Sequence, residues 1–172
     1  MNFHELLKAE GKVVEKTKSE HLFMQGESDG SLYYVQSGLL KAYYTSEEGK
    51  EFVKSFIAPN DIICSLTSAY SGALCSFSLI CLEDTKLLRI PFSTLSDSSK
   101  EHHEIATNMV DVLLNFSMKK EKREYEFLCL SAEQRYRLLE KNSPEIVNKV
   151  TQNDIARYLG ITPVALSRIK NR

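Results

Sequence analysis

The sequence predicts an α+β chain: an N-terminal β-domain of many short strands, a jelly roll or barrel, then one long helix and an all-α C-terminal domain with a helix-turn-helix. Three observations carry this. Between residues 12 and 92, seven short runs rich in Val, Ile, Leu, Phe and Tyr are separated by Gly, Asn, Asp, Ser and Pro clusters, the mark of many short strands. From Ser99 to Leu130 there is neither Gly nor Pro, and apolar residues recur at helical steps. From Ser131 onward, cap residues punctuate short helical segments. The expected boundaries are 1–98, 99–130 and 131–172.

The totals fit this division. A chain of 172 residues has room for one or two small domains at ~100–200 residues each. The apolar share of 42% is ordinary for a folded chain. It contains no run of ~18 apolar residues, so no membrane span is expected. The start, MNFHELLKAEGKVVEK, lacks the basic segment and long apolar core of a secretion signal, which makes the cytoplasm the expected compartment. Cys64, Cys75, Cys81 and Cys129 are scattered and share no ligand spacing with the histidines. They read as small hydrophobes rather than as a metal site. Net charge is −1 overall, but residues 1–130 sum to −5 and residues 131–172 to +4. A basic end on an acidic chain points to a polyanionic partner.

In chain order, residues 1–10 read as a short helix stopped by Gly11. KVVEKT, HLFM, LYYVQ, LLKAYYT, FVKSFI, FSLICL and KLLRIP read as strands, with Ser46–Lys50 as a hairpin turn that uses Gly49 for a positive φ. Residues 63–76, ICSLTSAYSGALCS, read as an uncharged, turn-rich loop where a sensor would hold a ligand. In the long helix, Ile105, Met109, Val112 and Phe116 form a stripe that Leu113 widens. That stripe is expected both to pack on its own domain and to pair with a second copy of the chain. Ser131 caps the next helix, which Asn142-Ser143-Pro144 ends.

The segment 151–170, TQNDIARYLGITPVALSRIK, carries the functional signal. Thr151 and Asp154 have the spacing of a capping box. Ala156 allows close helix crossing, Gly160 suits the left-handed turn, and Thr162-Pro163 caps and opens a second helix. With Ile155, Leu159, Ile161, Leu166 and Ile169 in the core, the opposite face presents Val164, Ser167, Arg168, Asn171 and Arg172, with Pro163 at its leading edge. Arg168 has the donor geometry for guanine O6 and N7, and Val164 can touch a thymine methyl. Thr151, Gln152, Thr162, Lys170 and Arg172 complete the expected DNA-contacting set, chiefly through phosphates.

A β-roll, a long helix and this helix-turn-helix together resemble the Crp/Fnr family of bacterial transcription regulators. The stretches HLFMQGESDGSLYYVQSGLLKAYYTSEEGKEFVKSFIAPNDII and AEQRYRLLEKNSPEIVNKVTQNDIARYLGITPVALSRIKNR carry the likeness, the second being similar to a short-tailed branch of the family. The resemblance implies a cyclic-nucleotide-binding-like sensor domain and a homodimer paired through the long helix. It also implies double-stranded DNA and RNA polymerase as partners, and Arg168 as the central base-contacting residue. Two recognition helices would sit ~34 Å apart in successive major grooves. The likeness places the effector pocket at Cys64, Ser65, Leu66, Cys75 and Ser76. Ser65 and Cys75 stand where nucleotide-binding members have a Glu for the ribose and an Arg for the phosphate. Cyclic AMP is therefore not expected, and no cofactor is predicted.

No cysteine precedes Cys64, unlike in the iron–sulfur members, and the sequence ends at Arg172 before the position of the β-hairpin wing of many relatives. Haem ligation by Cys75, His21 or Met24 has no supporting pattern. The competing readings are an interaction module with a degenerate helix-turn-helix acting through protein partners, and a cupin-type enzyme. The enzyme would need strand-borne histidine ligands, and only His21 lies near a strand. No enzymatic activity is expected.

Overall fold

The computed structural model describes residues 2–171. α1 (Phe3–Glu10) leads into β1 (Lys12–Lys16), β2 (His21–Phe23), β3 (Ser31–Ser37), β4 (Leu40–Thr45), β5 (Glu51–Ile57) and β6 (Ile62–Ile63). α2 (Leu66–Ser71), β7 (Ser78–Cys81) and β8 (Thr85–Pro91) complete the N-terminal part. Then come α3 (Phe92–Glu101), α4 (His103–Cys129), α5 (Ala132–Asn142), α6 (Pro144–Lys149), α7 (Gln152–Leu159) and α8 (Pro163–Lys170).

Each of the seven apolar runs contains a strand. The strands pair antiparallel in two sheets, ordered β1-β8-β3-β6 and β2-β7-β4-β5, whose inner faces bury Phe23, Tyr33, Val35, Leu40, Leu79 and Leu87 in a common core. The hairpin turn forms as expected. Gly49 has φ 78°, its N–H donates to the Ser46 carbonyl at 2.9 Å, and the Ser46 N–H donates to the Lys50 carbonyl.

Both sheets are also covered on their outer faces, which explains why their strands do not alternate cleanly between apolar and polar residues. Leu32, Ile90 and Leu88 of the first sheet pack under α1, α3 and α4, against Leu6, Leu7, Leu95 and Ile105. The second sheet meets the C-terminal domain instead: Leu39 and Phe56 join Tyr136, Ile146, Ile155 and Leu159. The C-terminal helices are therefore docked on the roll.

Three expectations are corrected. The loop 63–76 contains α2, a six-residue helix ended by Gly72 at φ 70°; its Ser/Thr-rich sequence hides the helical period. β6 is only two residues long, too short for a pattern, and pairs with Tyr33 and Tyr34. The long helix begins at His103 rather than Ser99, because α3 ends at Glu101 and His102 is extended (φ −125°). Leu95 of α3 and Ile105 of α4 bury in one cluster.

Candidate nucleic-acid interface

The two helices of the reader are fixed from both ends. The Thr151 hydroxyl accepts the Asp154 N–H at 3.1 Å, and the Thr162 hydroxyl accepts the Ala165 N–H at 3.2 Å. Pro163 occupies the first turn of α8. Gly160 joins the helices at φ 69°, with the Phe127 ring so close that an added Cβ would lie 3.1 Å from it. Ile155, Ala156, Leu159, Leu166 and Ile169 are buried together.

Asp154 departs from the capping-box expectation. Its carboxylate does not return to the Thr151 backbone. One oxygen accepts the Thr151 hydroxyl at 2.9 Å, and the other accepts Lys41 Nζ of β4 at 2.9 Å. Both side chains are about nine-tenths buried (9% and 10% exposed). Glu51 of β5 lies 3.7 Å from the same ammonium and accepts Arg157 at 2.7 Å. The first reader helix is thus held to the second sheet by a partly buried charge network, invisible in the sequence because its partners lie more than 100 residues apart.

A second joint involves α4. The Arg123 guanidinium stacks over Tyr158 at 3.9 Å and over Phe127 at 4.8 Å, and donates to the Val53 and Tyr158 carbonyls. Arg135 lies over Phe127 at 4.6 Å and donates to the carbonyls of Leu130 and Leu159. Burial lowers the pKa of Arg123, yet a guanidinium remains charged at neutral pH. These two arginines join roll, long helix and reader.

The docking leaves the proposed contact face open. Pro163, Val164 (62% exposed), Ser167 and Arg168 all face solvent on α8, and Arg168 makes no ion pair among the described residues. Thr151, Gln152, Thr162 and Lys170 are exposed beside it. Lys170 Nζ donates to Gln152 at 3.0 Å, tying the end of α8 to the start of α7. Arg172 lies outside the described residues.

The five expected pocket residues are dispersed in the structure. Cys64 and Leu66 border a space of only about 20 Å³ beneath α4, Cys75 belongs to the core between the sheets, and Ser76 is exposed. Ser65 is buried and its hydroxyl has no partner among the described residues. Tyr70 is 82% exposed and meets Phe92 edge-on, with ring centres 6.2 Å apart. Burial pushes the Cys64 thiol up to about 12, although Lys54 draws it down; it is protonated and unreactive at neutral pH.

The expected dimer stripe is also redistributed. Ile105 is fully buried, Met109 and Phe116 pack with it against the roll, and Val112 borders the small space beneath α4. Only Leu113 of that set is exposed. A second stripe, Val110, Leu114, Met118, Tyr125 and Leu128, faces solvent. Its steps of four, four, seven and three keep it on one side of the helix, and the gap at Glu121 hid it from the sequence reading.

The comparisons with known proteins agree with this architecture. Residues 13–102 match the cyclic nucleotide-binding domain family. The chain is 30% identical over 187 residues to an anaerobic regulatory protein of Aggregatibacter actinomycetemcomitans, covering 100% of this chain and 72% of that one. It is 27% identical to the fumarate and nitrate reduction regulatory protein of Escherichia coli (strain K12), covering 74% of it. Among solved structures, FixK2 from Bradyrhizobium japonicum matches with a TM-score of 0.79 at 18% identity, over 94% of this chain and 83% of that chain. A transcriptional regulator of the Crp/Fnr family from Eubacterium rectale matches at 0.76 and 21%, over 99% and 82%. With its roll, long helix and capped helix-turn-helix in that order, this chain belongs to the Crp/Fnr family of transcriptional regulators.

Proposed function

We infer that this protein is a sequence-specific DNA-binding transcription regulator acting as a homodimer, rather than an enzyme. The observation that carries the reading is the outer face of α8: Val164, Ser167 and Arg168 are exposed, with no side-chain partner among the described residues, on a helix whose caps and core are complete. Arg168 reads guanine, Val164 reads a thymine methyl, and the surrounding Thr, Gln and Lys side chains meet phosphates. The exposed apolar stripe of α4 supports pairing with a second copy, because such a surface on an isolated chain is costly. RNA polymerase is the partner through which the bound dimer would act.

Cyclic nucleotide is not the proposed effector. Neither Ser65 nor Cys75 supplies the charges a ribose phosphate needs, and an anion buried without a cation is poorly compensated.

Titration of salt against a bound duplex tests the reading. The logarithm of the binding constant should fall linearly with the logarithm of salt concentration, by about 0.9 per phosphate contacted. Leu114→Glu with Met118→Glu should convert the dimer to monomer in sedimentation and weaken that binding. Absence of salt-sensitive binding to any duplex would favour an interaction module over a DNA reader.

A further inference from the structure

Between α4 and the C-terminal helices the chain passes through two extended residues, Leu130 (φ −109°) and Ser131 (φ −65°). Element-terminal residues of this kind are where one domain swings against another, and a small contact leaves the swing free. Here the reader has a second attachment, on β4 and β5. Leu39 buries in the reader's own core, and the rings of Phe56 and Tyr158 lie 5.4 Å apart. Lys41 meets Asp154 at 2.9 Å. Glu51 closes the charge network, 2.7 Å from Arg157 and 3.7 Å from Lys41. Lys149 of α6 reaches Glu83, in the turn after β7, at 3.1 Å.

This joint fixes a direction that matters once two chains pair. Ile105, Met109 and Phe116 hold α4 on the roll, and the exposed stripe that supports pairing lies on the other side of that helix. The joint sets α7 against the same roll, and α8 follows α7 through Gly160 and their shared core. The place of each recognition helix relative to the pairing stripe is therefore set by contacts on β4 and β5 as well as by the two-residue link. On DNA, each base pair added between half-sites turns the far one by about 35° and moves it ~3.4 Å. Two readers held in a fixed direction cannot both follow that change.

We propose that Glu51 is a positioning residue for DNA recognition: by holding Lys41 and Arg157 together it anchors α7 and restricts the dimer to one half-site spacing. The proposal rests on the DNA-binding homodimer reading. It adds that the roll, and not the reader alone, selects how far apart the half-sites lie.

The test uses the full chain and duplexes carrying two copies of the half-site enriched from a random pool. The half-sites stand at the preferred spacing, or with one base pair added or removed. Fluorescence anisotropy at a single salt concentration gives the spacing penalty, the ratio of affinities for the preferred and altered spacings. The parent should show a penalty of about tenfold or more, the order expected when one half-site loses a base contact. Glu51→Lys sets a third cation beside Lys41 and Arg157 and should reduce the penalty about threefold, an effect within reach of a half-exposed ion pair. Glu51→Gln should reduce it less, and decides the matter if the Lys variant does not fold. A smaller folded fraction would scale all affinities alike and leave the ratio untouched. Glu48, paired with Lys50 in the hairpin turn, gives the control: Glu48→Lys makes the same change of charge and should keep the parent's penalty. A parent indifferent to spacing, an unchanged penalty in the folded Glu51 variants, or an equal fall in Glu48→Lys would each overturn the proposal and leave DNA binding intact. A parent that binds no duplex would instead overturn the DNA reading, and the proposal with it.

Discussion

Replacing Asp154 by alanine should destabilise the protein by about 3 kcal/mol, the lower end of the range for removing one partner of a buried ion pair. The deletion leaves the Lys41 ammonium buried, with Glu51 at 3.7 Å as its remaining carboxylate, and also removes the acceptor of the Thr151 hydroxyl. Out of a total stability of roughly 5–15 kcal/mol, this is a large fraction, equivalent to a melting-temperature drop on the order of 6–12 °C at this chain length. Urea unfolding measures it. The double variant Lys41→Met with Asp154→Leu should recover most of the loss, since apolar groups can replace a buried pair without leaving a stranded charge. A double variant as unstable as Asp154→Ala would mean that the helix cap, rather than the ion pair, carries the effect.

Arg168→Ala is the second large effect, and it falls on recognition rather than on the fold. Arg168 is exposed and has no ion pair among the described residues, so its removal should leave the unfolding curve within about 0.5 kcal/mol of the parent. A guanine-reading arginine contributes ~1–3 kcal/mol of discrimination. A homodimer uses it twice, once in each half-site. Binding to the preferred duplex should therefore weaken by about 2–6 kcal/mol, while binding to unrelated duplexes changes little. Lys170→Ala should instead weaken all duplexes alike and reduce the salt slope by about 1. Competition assays against a matched and a scrambled duplex separate the two behaviours.

The reader was the most legible part of the chain because its signals are local. A hydroxyl three residues before a backbone N–H, a glycine at the turn and a proline after a cap specify geometry within a few residues, and Thr151, Gly160, Thr162 and Pro163 occupy those positions in the structure. The strands were legible for a related reason, since turn residues separate them. What could not be read depends on distant pairing. Lys41 looks like any strand lysine until Asp154 is brought beside it. Lys54 gives no sign of being a bulge residue until β5 is set against β4. The long helix carries two apolar stripes, and its sequence alone does not say which meets the roll. The structure assigns Ile105, Met109 and Phe116 to the roll and leaves Leu114 and Met118 outside.

The same long-range pairings join the parts of the chain. The second sheet touches the reader through Lys41, Glu51 and the Val53 carbonyl, while α4 touches both through Arg123. The roll is thus joined to α7 by charges and stacked rings rather than by a flexible tether.

Selection from a pool of random duplexes with the full chain, repeated at two salt concentrations, tests the central claim most directly. The account predicts enrichment of an inverted repeat whose half-site centres lie about 10 base pairs apart, bound less tightly at the higher salt. Recovery of no sequence above the starting pool, at either salt concentration, would contradict it.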